Sequence, residues 1–211
     1  MIPHWGDRRH IKVGLLGGSF NPAHAGHLLV AREAMRRLGL DQVWLLVSPG
    51  NPLKPARGMA RLAERLASAR RIADGRRIVA TDIEARLGTR YTVDTLRLLA
   101  LRFPRVAFVW LMGADNLVQL PRWRRWRDIV TQVVFAVLPR PTYNHRALAS
   151  HAARRLAYAR LPVHEAAALA GLAPPRWVFL PARQHAASAT AIRAALSGVQ
   201  DHRPQAARPP F

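Results

Sequence analysis

Lys12-Val13-Gly14-Leu15-Leu16-Gly17-Gly18-Ser19-Phe20-Asn21-Pro22-Ala23-His24-Ala25-Gly26-His27-Leu28 is the stretch on which the reading of this chain turns. Its opening, Lys12 to Leu16, is short and apolar, the pattern of a strand buried on both faces. The two glycines that follow let the backbone approach a ligand closely or take a positive φ. Gly17 to Pro22 reads as a loop, and from Ala25 to Leu38 the spacing predicts a helix that stops at Gly39. The start of such a helix presents N–H groups without helical partners and a partial positive charge, which suits an anion, phosphate above all. His24 and His27 are three apart at that entry and fall on one side, with Gly26 leaving room beside the backbone. Neither G-x-x-x-x-G-K-[ST] nor G-x-G-x-x-G occurs here. A metal held by the two histidines needs a third ligand, and the nearest acid, Glu33, is over a turn away, so no metal site is expected from them.

Working outward, the same alternation repeats. Strands are expected at Val43 to Val47, Ile78 to Ala80, Val106 to Met112, Val133 to Leu138 and Trp177 to Leu180. Helices are expected at Arg61 to Ala73, Val93 to Arg102, within Arg146 to Ala170, and at Thr190 to Leu196. Apolar strands separated by helices of roughly 10 to 15 residues give an α/β fold with a doubly wound, mainly parallel sheet and helices on both faces. In such sheets ligands sit beyond the carboxyl ends of the strands, so the loops after strands are where chemistry belongs. Residues 1–199 are expected to form a single domain, with 200–211, which carries three prolines, as a mobile tail.

Composition agrees and excludes several classes. At 211 residues and 50% hydrophobic, the chain has material for one sizeable core. It has no cysteine, which excludes a disulfide framework and thiolate chemistry. The longest uncharged apolar run, Ile129 to Pro139, is far short of the roughly 20 residues of a spanning helix. A cytoplasmic protein is therefore expected. The net charge is +21, and arginine supplies nearly all of it, since Lys12 and Lys54 are the only lysines. That charge suits a polyanion, either nucleic acid or a phosphorylated substrate.

The segment G-G-S-F-N-P-x-H-x-G-H resembles the signature of the nucleotidyltransferase superfamily with the H-x-G-H motif, whose first strand opens a Rossmann-like sheet and whose histidines bind ATP phosphates. Asn21 stands where the commonest pattern has Asp, keeping a turn-forming oxygen without the charge. Four further segments resemble the bacterial nicotinate-nucleotide adenylyltransferase family. Pro49-Gly50-Asn51-Pro52-Leu53-Lys54 is similar to a loop with a basic residue near the triphosphate. Arg90-Tyr91-Thr92-Val93-Asp94-Thr95-Leu96 is similar to [ST]-Y-T-x-D-T-L, with Thr92 expected as the helix N-cap and the N–H groups behind it holding the nicotinate carboxylate. Gly113-Ala114-Asp115 resembles the family's G-A-D, and Leu120-Pro121-Arg122-Trp123 its L-P-x-W, whose indole stacks on the pyridine ring. Ser188-Ala189-Thr190-Ala191-Ile192-Arg193 resembles a capped helix at the ATP phosphates, although Ala187 and Ala189 replace the usual Ile and second Ser.

What the resemblance implies is specific. ATP and nicotinate mononucleotide react to give nicotinate adenine dinucleotide and pyrophosphate, with Mg2+ carried on ATP. His24, His27, Lys54 and Arg193 are the catalytic candidates. ATP would be held by Gly17, Gly18, Ser19, Phe20, His24, His27, Gly113, Asp115, Ser188, Thr190 and Arg193, and the acceptor by Ser19, Tyr91, Thr92 and Trp123. No membrane or nucleic-acid partner is implied, and a homo-oligomer is compatible. Two alternatives stay open on the residues alone. One is another acceptor in the same superfamily, phosphopantetheine or the amide nucleotide. The other is a basic nucleic-acid-binding protein, for which Trp123 and Trp126 amid Arg122, Arg124, Arg125 and Arg127 would be a stacking patch.

Overall fold

The computed structural model describes residues 2–3, 5–50 and 58–182. In chain order these form strand β1 (Lys12–Gly18), helix α1 (Ala25–Leu38), β2 (Gln42–Val47), α2 (Leu62–Ile72), β3 (Ile78–Thr81), α3 (Ile83–Arg86), α4 (Thr92–Arg102) and β4 (Ala107–Gly113). Then come α5 (Ala114–Gln119), α6 (Trp126–Gln132), β5 (Val134–Leu138), α7 (Asn144–Leu148), α8 (His151–Arg155), β6 (Arg160–Leu161) and β7 (Trp177–Phe179). The strands make one sheet in the order β3-β2-β1-β4-β5-β7-β6, and every neighbouring pair is parallel. The doubly wound reading is therefore right. The chain builds outward from β1 to β3, then returns and builds the other way from β4, so the order reverses between β1 and β4. That reversal opens a crevice at the carboxyl ends of those two strands.

Alternation within the strands explains the two faces. In β2, Val43, Leu45 and Val47 pack on one core with Ala31, Ala34 and Leu38 of α1 and Leu66 and Ala69 of α2. Trp44 and Leu46 point the other way, into a core with Ile83 of α3, Val93, Leu96 and Leu99 of α4, and Ile129 of α6. Helix α1 buries Ala31, Ala34, Met35 and Leu38 along one stripe and ends on Gly39 in the left-handed conformation, φ 60°. Arg36 and Arg37 in its last turn both pair with Glu33, close to the negative end of the helix dipole.

One expectation needs correction. Gly17 and Gly18 belong to β1 and pair with Leu46 and Val47 of β2, so they are strand and not loop. The helical stretch expected within Arg146 to Ala170 is found, broken into short pieces. It holds α7, α8 and 3-10 turns at Ala157–Ala159 and Val163–Gly171, because Leu156 leaves the helical region at φ −109° and Pro162 follows the short strand β6. That two-residue strand, bonded to β7 at the sheet edge, had no sequence signal beyond its two residues. The expected helix at Thr190 to Leu196 and the tail 200–211 lie outside the described residues.

Candidate active site

At the crevice, the first loop is held by an imidazole pair. His24 occupies the N-cap of α1, and its Nδ1 accepts from the Gly26 N–H at 3.1 Å. His27, one turn in, returns the favour: its Nδ1 accepts from the His24 N–H at 3.2 Å. The rings lie 3.9 Å apart between centroids, tilted by 41°. With Nδ1 acting as acceptor in both rings, the proton of each neutral ring sits on Nε2. Burial first, then the electrostatic influence of the neighbouring His24 ring and of Arg140, pushes the His27 pKa down to about 3. His27 is thus a neutral N–H donor at physiological pH. A second imidazolium at this separation would be repelled by the first.

The rest of the loop is built to hold that pair in place. Phe20 is buried, sits at φ 49°, and packs its ring 4.8 Å from His27. Its ring thus supports the histidine. Gly17 has no positive φ. A Cβ there would meet the Trp110 ring at 2.9 Å, so its need for glycine comes from an indole against the strand. Asn21 explains its own departure from Asp. Its Nδ2 donates to the Gly58 carbonyl at 2.9 Å, which a carboxylate has no proton to do, and its Oδ1 accepts from the Ala60 N–H at 3.3 Å.

Arg65 of α2 ties three loops together and was not anticipated. Its buried guanidinium donates to the carbonyls of Ala60 (2.9 Å), Ser19 (2.8 Å), Ser48 (2.7 Å) and Pro49 (3.4 Å). The sequence did carry a signal: Leu62, Arg65, Leu66 and Ala69 follow the i, i+3, i+4, i+7 stripe, and one member is charged. Arg140, after β5, was also missed, although it follows the carboxyl end of a strand. Its Nε lies 3.5 Å from Asp115 Oδ1, and its charge acts on His27. Asp115 Oδ1 is buried and has no hydrogen bond among the described residues. A Cβ on Gly113 would collide with that same oxygen, which is why glycine ends β4.

Where β1 runs into the loop that precedes the imidazole pair opens a cavity of about 330 Å³. Gly17, Gly18 and Ser19 form one wall, Ser48 and Gly50 a second, Arg90, Tyr91 and Thr92 a third, and Trp110, Arg122, Trp123 and Ile129 much of the rest. Four residues expected at the acceptor, Ser19, Tyr91, Thr92 and Trp123, thus meet in one place. Trp123 stands edge-on to Trp110, with centroids 6.3 Å apart, and Arg124 lies over the Tyr91 ring at 4.6 Å. Thr92 is not the N-cap. Tyr91 holds that position, its carbonyl accepting from Asp94 and Thr95, so the N–H groups of Thr92 and Val93 precede the helical ladder. The stacking patch imagined for nucleic acid is not formed. Trp123 faces the cavity, Trp126 packs on the core beside His151, and Arg125 is paired with Asp128. Lys54, Ser188, Thr190 and Arg193 lie outside the described residues. Among the described residues no three His, Asp or Glu side chains converge to hold a metal, and no helix is long and apolar enough to cross a membrane.

A parallel sheet with an anion-binding helix start and an aromatic cavity at its switch point defines a nucleotide-handling α/β protein. The cytidylyltransferase-like family model matches residues 15–195, and the chain belongs to that family of nucleotidyltransferases. It is 63% identical over 193 residues (92% of this chain, 90% of the relative) to a probable nicotinate-nucleotide adenylyltransferase of Gluconacetobacter diazotrophicus. It is 61% identical to one from Gluconobacter oxydans, over 87% of this chain and 94% of the relative. The fold is shared with solved structures of a Plasmodium falciparum nicotinic acid mononucleotide adenylyltransferase, one complexed with APC (TM-score 0.63) and one with NaAD (TM-score 0.65). Each is 15% identical and covers 88% of this chain and 83% of that one.

Proposed function

We propose that the protein transfers the adenylyl group of ATP to the phosphate of nicotinate mononucleotide, releasing pyrophosphate and forming nicotinate adenine dinucleotide. The observation that carries this reading is the one cavity in which Ser19, Tyr91, Thr92 and Trp123 meet, in a chain 63% identical to a relative of that name. The pyridine ring lies in the cavity against the Trp123 indole, and its carboxylate faces the N–H groups of Thr92 and Val93. ATP lies along Gly17, Gly18 and Ser19, with Gly113 and Asp115 on its nucleoside side.

A phosphate oxygen of the acceptor, already ionised, attacks the α-phosphorus of ATP. The bond from that phosphorus to the bridging oxygen breaks, and the electron pair leaves with pyrophosphate. No general base is needed, in keeping with a His27 whose Nδ1 is engaged and whose pKa is far below 7. Catalysis rests on holding two anions together and on donors fixed where charge develops. The Nε2–H groups of His24 and His27 are those donors, and Arg140 supplies a movable cation beside them. Lys54, Ser188, Thr190 and Arg193 complete the grip on the β- and γ-phosphates. Mg2+, if bound with ATP, would be carried mainly by the triphosphate oxygens and water and would offset charge on the leaving pyrophosphate. We place the reaction in the cytoplasm. The test is pyrophosphate release from ATP with nicotinate mononucleotide, its amide or phosphopantetheine as acceptor. Nicotinate mononucleotide supports turnover, while phosphopantetheine does not; release only with phosphopantetheine, or with neither, overturns the proposal.

A further inference from the structure

One group in the acceptor cavity has no part in the mechanism above. Glu84, at the middle of the short helix α3, is 7% exposed, yet it lines the same cavity as Tyr91, Thr92 and Trp123. Its Oε1 faces Thr95 Oγ1 at 3.3 Å, the single hydrogen bond to the carboxyl among the described residues. Thr95 Oγ1 in turn lies 2.8 Å from Thr89 Oγ1 and 3.3 Å from the Tyr91 carbonyl, at the start of α4. This chain of hydroxyls accepts two proton arrangements. If Glu84 is ionised, Thr95 donates to Oε1. If Glu84 carries a proton, it donates either to Thr95, whose own proton then turns to the Tyr91 carbonyl, or into the cavity. Burial pushes the Glu84 pKa up to about 7, with the Thr95 hydrogen bond opposing. Both states are therefore populated near neutrality.

The surroundings contain few competing charges. Strand β2, packed behind α3, has no titratable residue. On α3 itself, Arg86 is engaged by Asp82, Thr81 and the Ile2 carbonyl. Asp94 lies in the first turn of α4, and Arg90, Arg122 and Arg124 are on the cavity wall, exposed. The wall also contains Trp110, whose buried Nε1 has no partner among the described residues, unlike the buried Trp44 and Trp177, whose Nε1 groups both donate. The cavity thus offers unspent donors to a group that only accepts.

We propose that Glu84 is a specificity-determining residue that reads the ring substituent of the pyridine nucleotide: protonated, it donates a hydrogen bond to a ring carboxylate; ionised, it repels that carboxylate and accepts from a ring carboxamide. This rests on placing the pyridine end in this cavity. A buried carboxylic acid kept neutral is an effective donor to an anion, and the bond is charge-assisted. Binding of the acid nucleotide then takes up one proton above the Glu84 pKa, and the acid-over-amide preference declines as pH rises.

Calorimetry on the ligand-free protein tests this, with nicotinate mononucleotide and its amide at pH 6 and pH 8, in two buffers of different ionisation enthalpy. The two nucleotides carry the same phosphate, so the ratio of their affinities isolates the ring substituent. In the wild type that ratio falls about tenfold or more between pH 6 and pH 8, because only the protonated fraction binds the acid well. Near pH 8 the acid takes up close to one proton more than the amide does. In Glu84→Gln the ratio is the same at both pH values. A ratio independent of pH in the wild type, or an equal fall in Glu84→Gln, overturns the proposal. If the variant does not fold, the difference in proton uptake on the wild type decides alone. Failure of both nucleotides to bind the wild type would instead remove the placement of the pyridine end, and this inference with it.

Discussion

The two ends of the cleft handle anions in different ways. At the start of α1 the grip is made from backbone and neutral imidazole, clamped from behind by Arg65 and flanked by the Arg140–Asp115 pair. In the cavity the walls are aromatic, and the one buried ionisable side chain is an acid, Glu84, balanced between two states. Burial drives both contrasts: it strips the charge from His27 and holds the proton on Glu84. On the proposed placement, the His27 imidazole keeps one protonation state near neutrality, and Glu84 at the pyridine end does not. Fixed neutral donors suit a site where charge shifts during reaction, since they need no reorganisation. A titrating group suits a site that has only to choose its occupant.

The largest way to break this comparison is at the phosphate end. His27→Ala should lower turnover on the order of 10² to 10³-fold, the usual cost of a lost donor to a developing oxyanion. Its thermal unfolding should move by only a few degrees, and turnover within threefold of wild type would remove His27 from the chemistry. Arg65→Met should cost about 2–4 kcal/mol in denaturant unfolding, because the carbonyls of Ser19, Ser48 and Ala60 lose their buried donor together. An unchanged midpoint would mean that the loops hold themselves.

At the pyridine end the sharper test is stability against pH. An unfolded chain ionises Glu84 near 4.5 and the folded one near 7, so the fold holds the extra proton between those values. Stability from this group is intact at low pH and is lost as pH rises from 4.5 to 7. His27 runs oppositely: its unfolded form takes a proton near 6.5 and its folded form only near 3, so stability is lost as pH falls through that window. Glu84→Gln should therefore gain about 1–3 kcal/mol over wild type at pH 8, and little at pH 5, read from denaturant midpoints. Equal effects at the two values would show that Glu84 does not titrate in this range. The smallest effect is Trp123→Ala, which should raise the KM for nicotinate mononucleotide about tenfold, the worth of one stacked ring, with the KM for ATP unchanged. A rise for ATP instead would move the indole to the other substrate.

How much of this was legible follows the same division. The longer strands and helices and the parallel sheet follow from apolar runs and helical periodicity, which local composition carries, whereas the short α3, α5, α6 and β6 were not anticipated. The imidazole pair was legible because its residues are neighbours in sequence, as were Tyr91, Thr92 and Trp123 as segments. Glu84 was not, because its state comes from Thr95 and Thr89 and from burial in a cavity closed by residues far along the chain, such as Trp123. Arg140 was hidden because Asp115 and His27 meet it only after β4 and β5 pair. The reason for Gly17 was misread because the indole of Trp110 reaches it from the neighbouring strand.

On the proposed mechanism, His27 meets ATP as a neutral Nε2–H donor. Nitrogen-15 spectra of histidine-labelled, ligand-free protein, followed from pH 7.5 to pH 5, test it directly. The expected result is a His27 ring that keeps the shifts of the neutral Nε2–H tautomer throughout, with that N–H perturbed when ATP is added. A ring that protonates with a midpoint near 6.5, or that carries its proton on Nδ1, would contradict it.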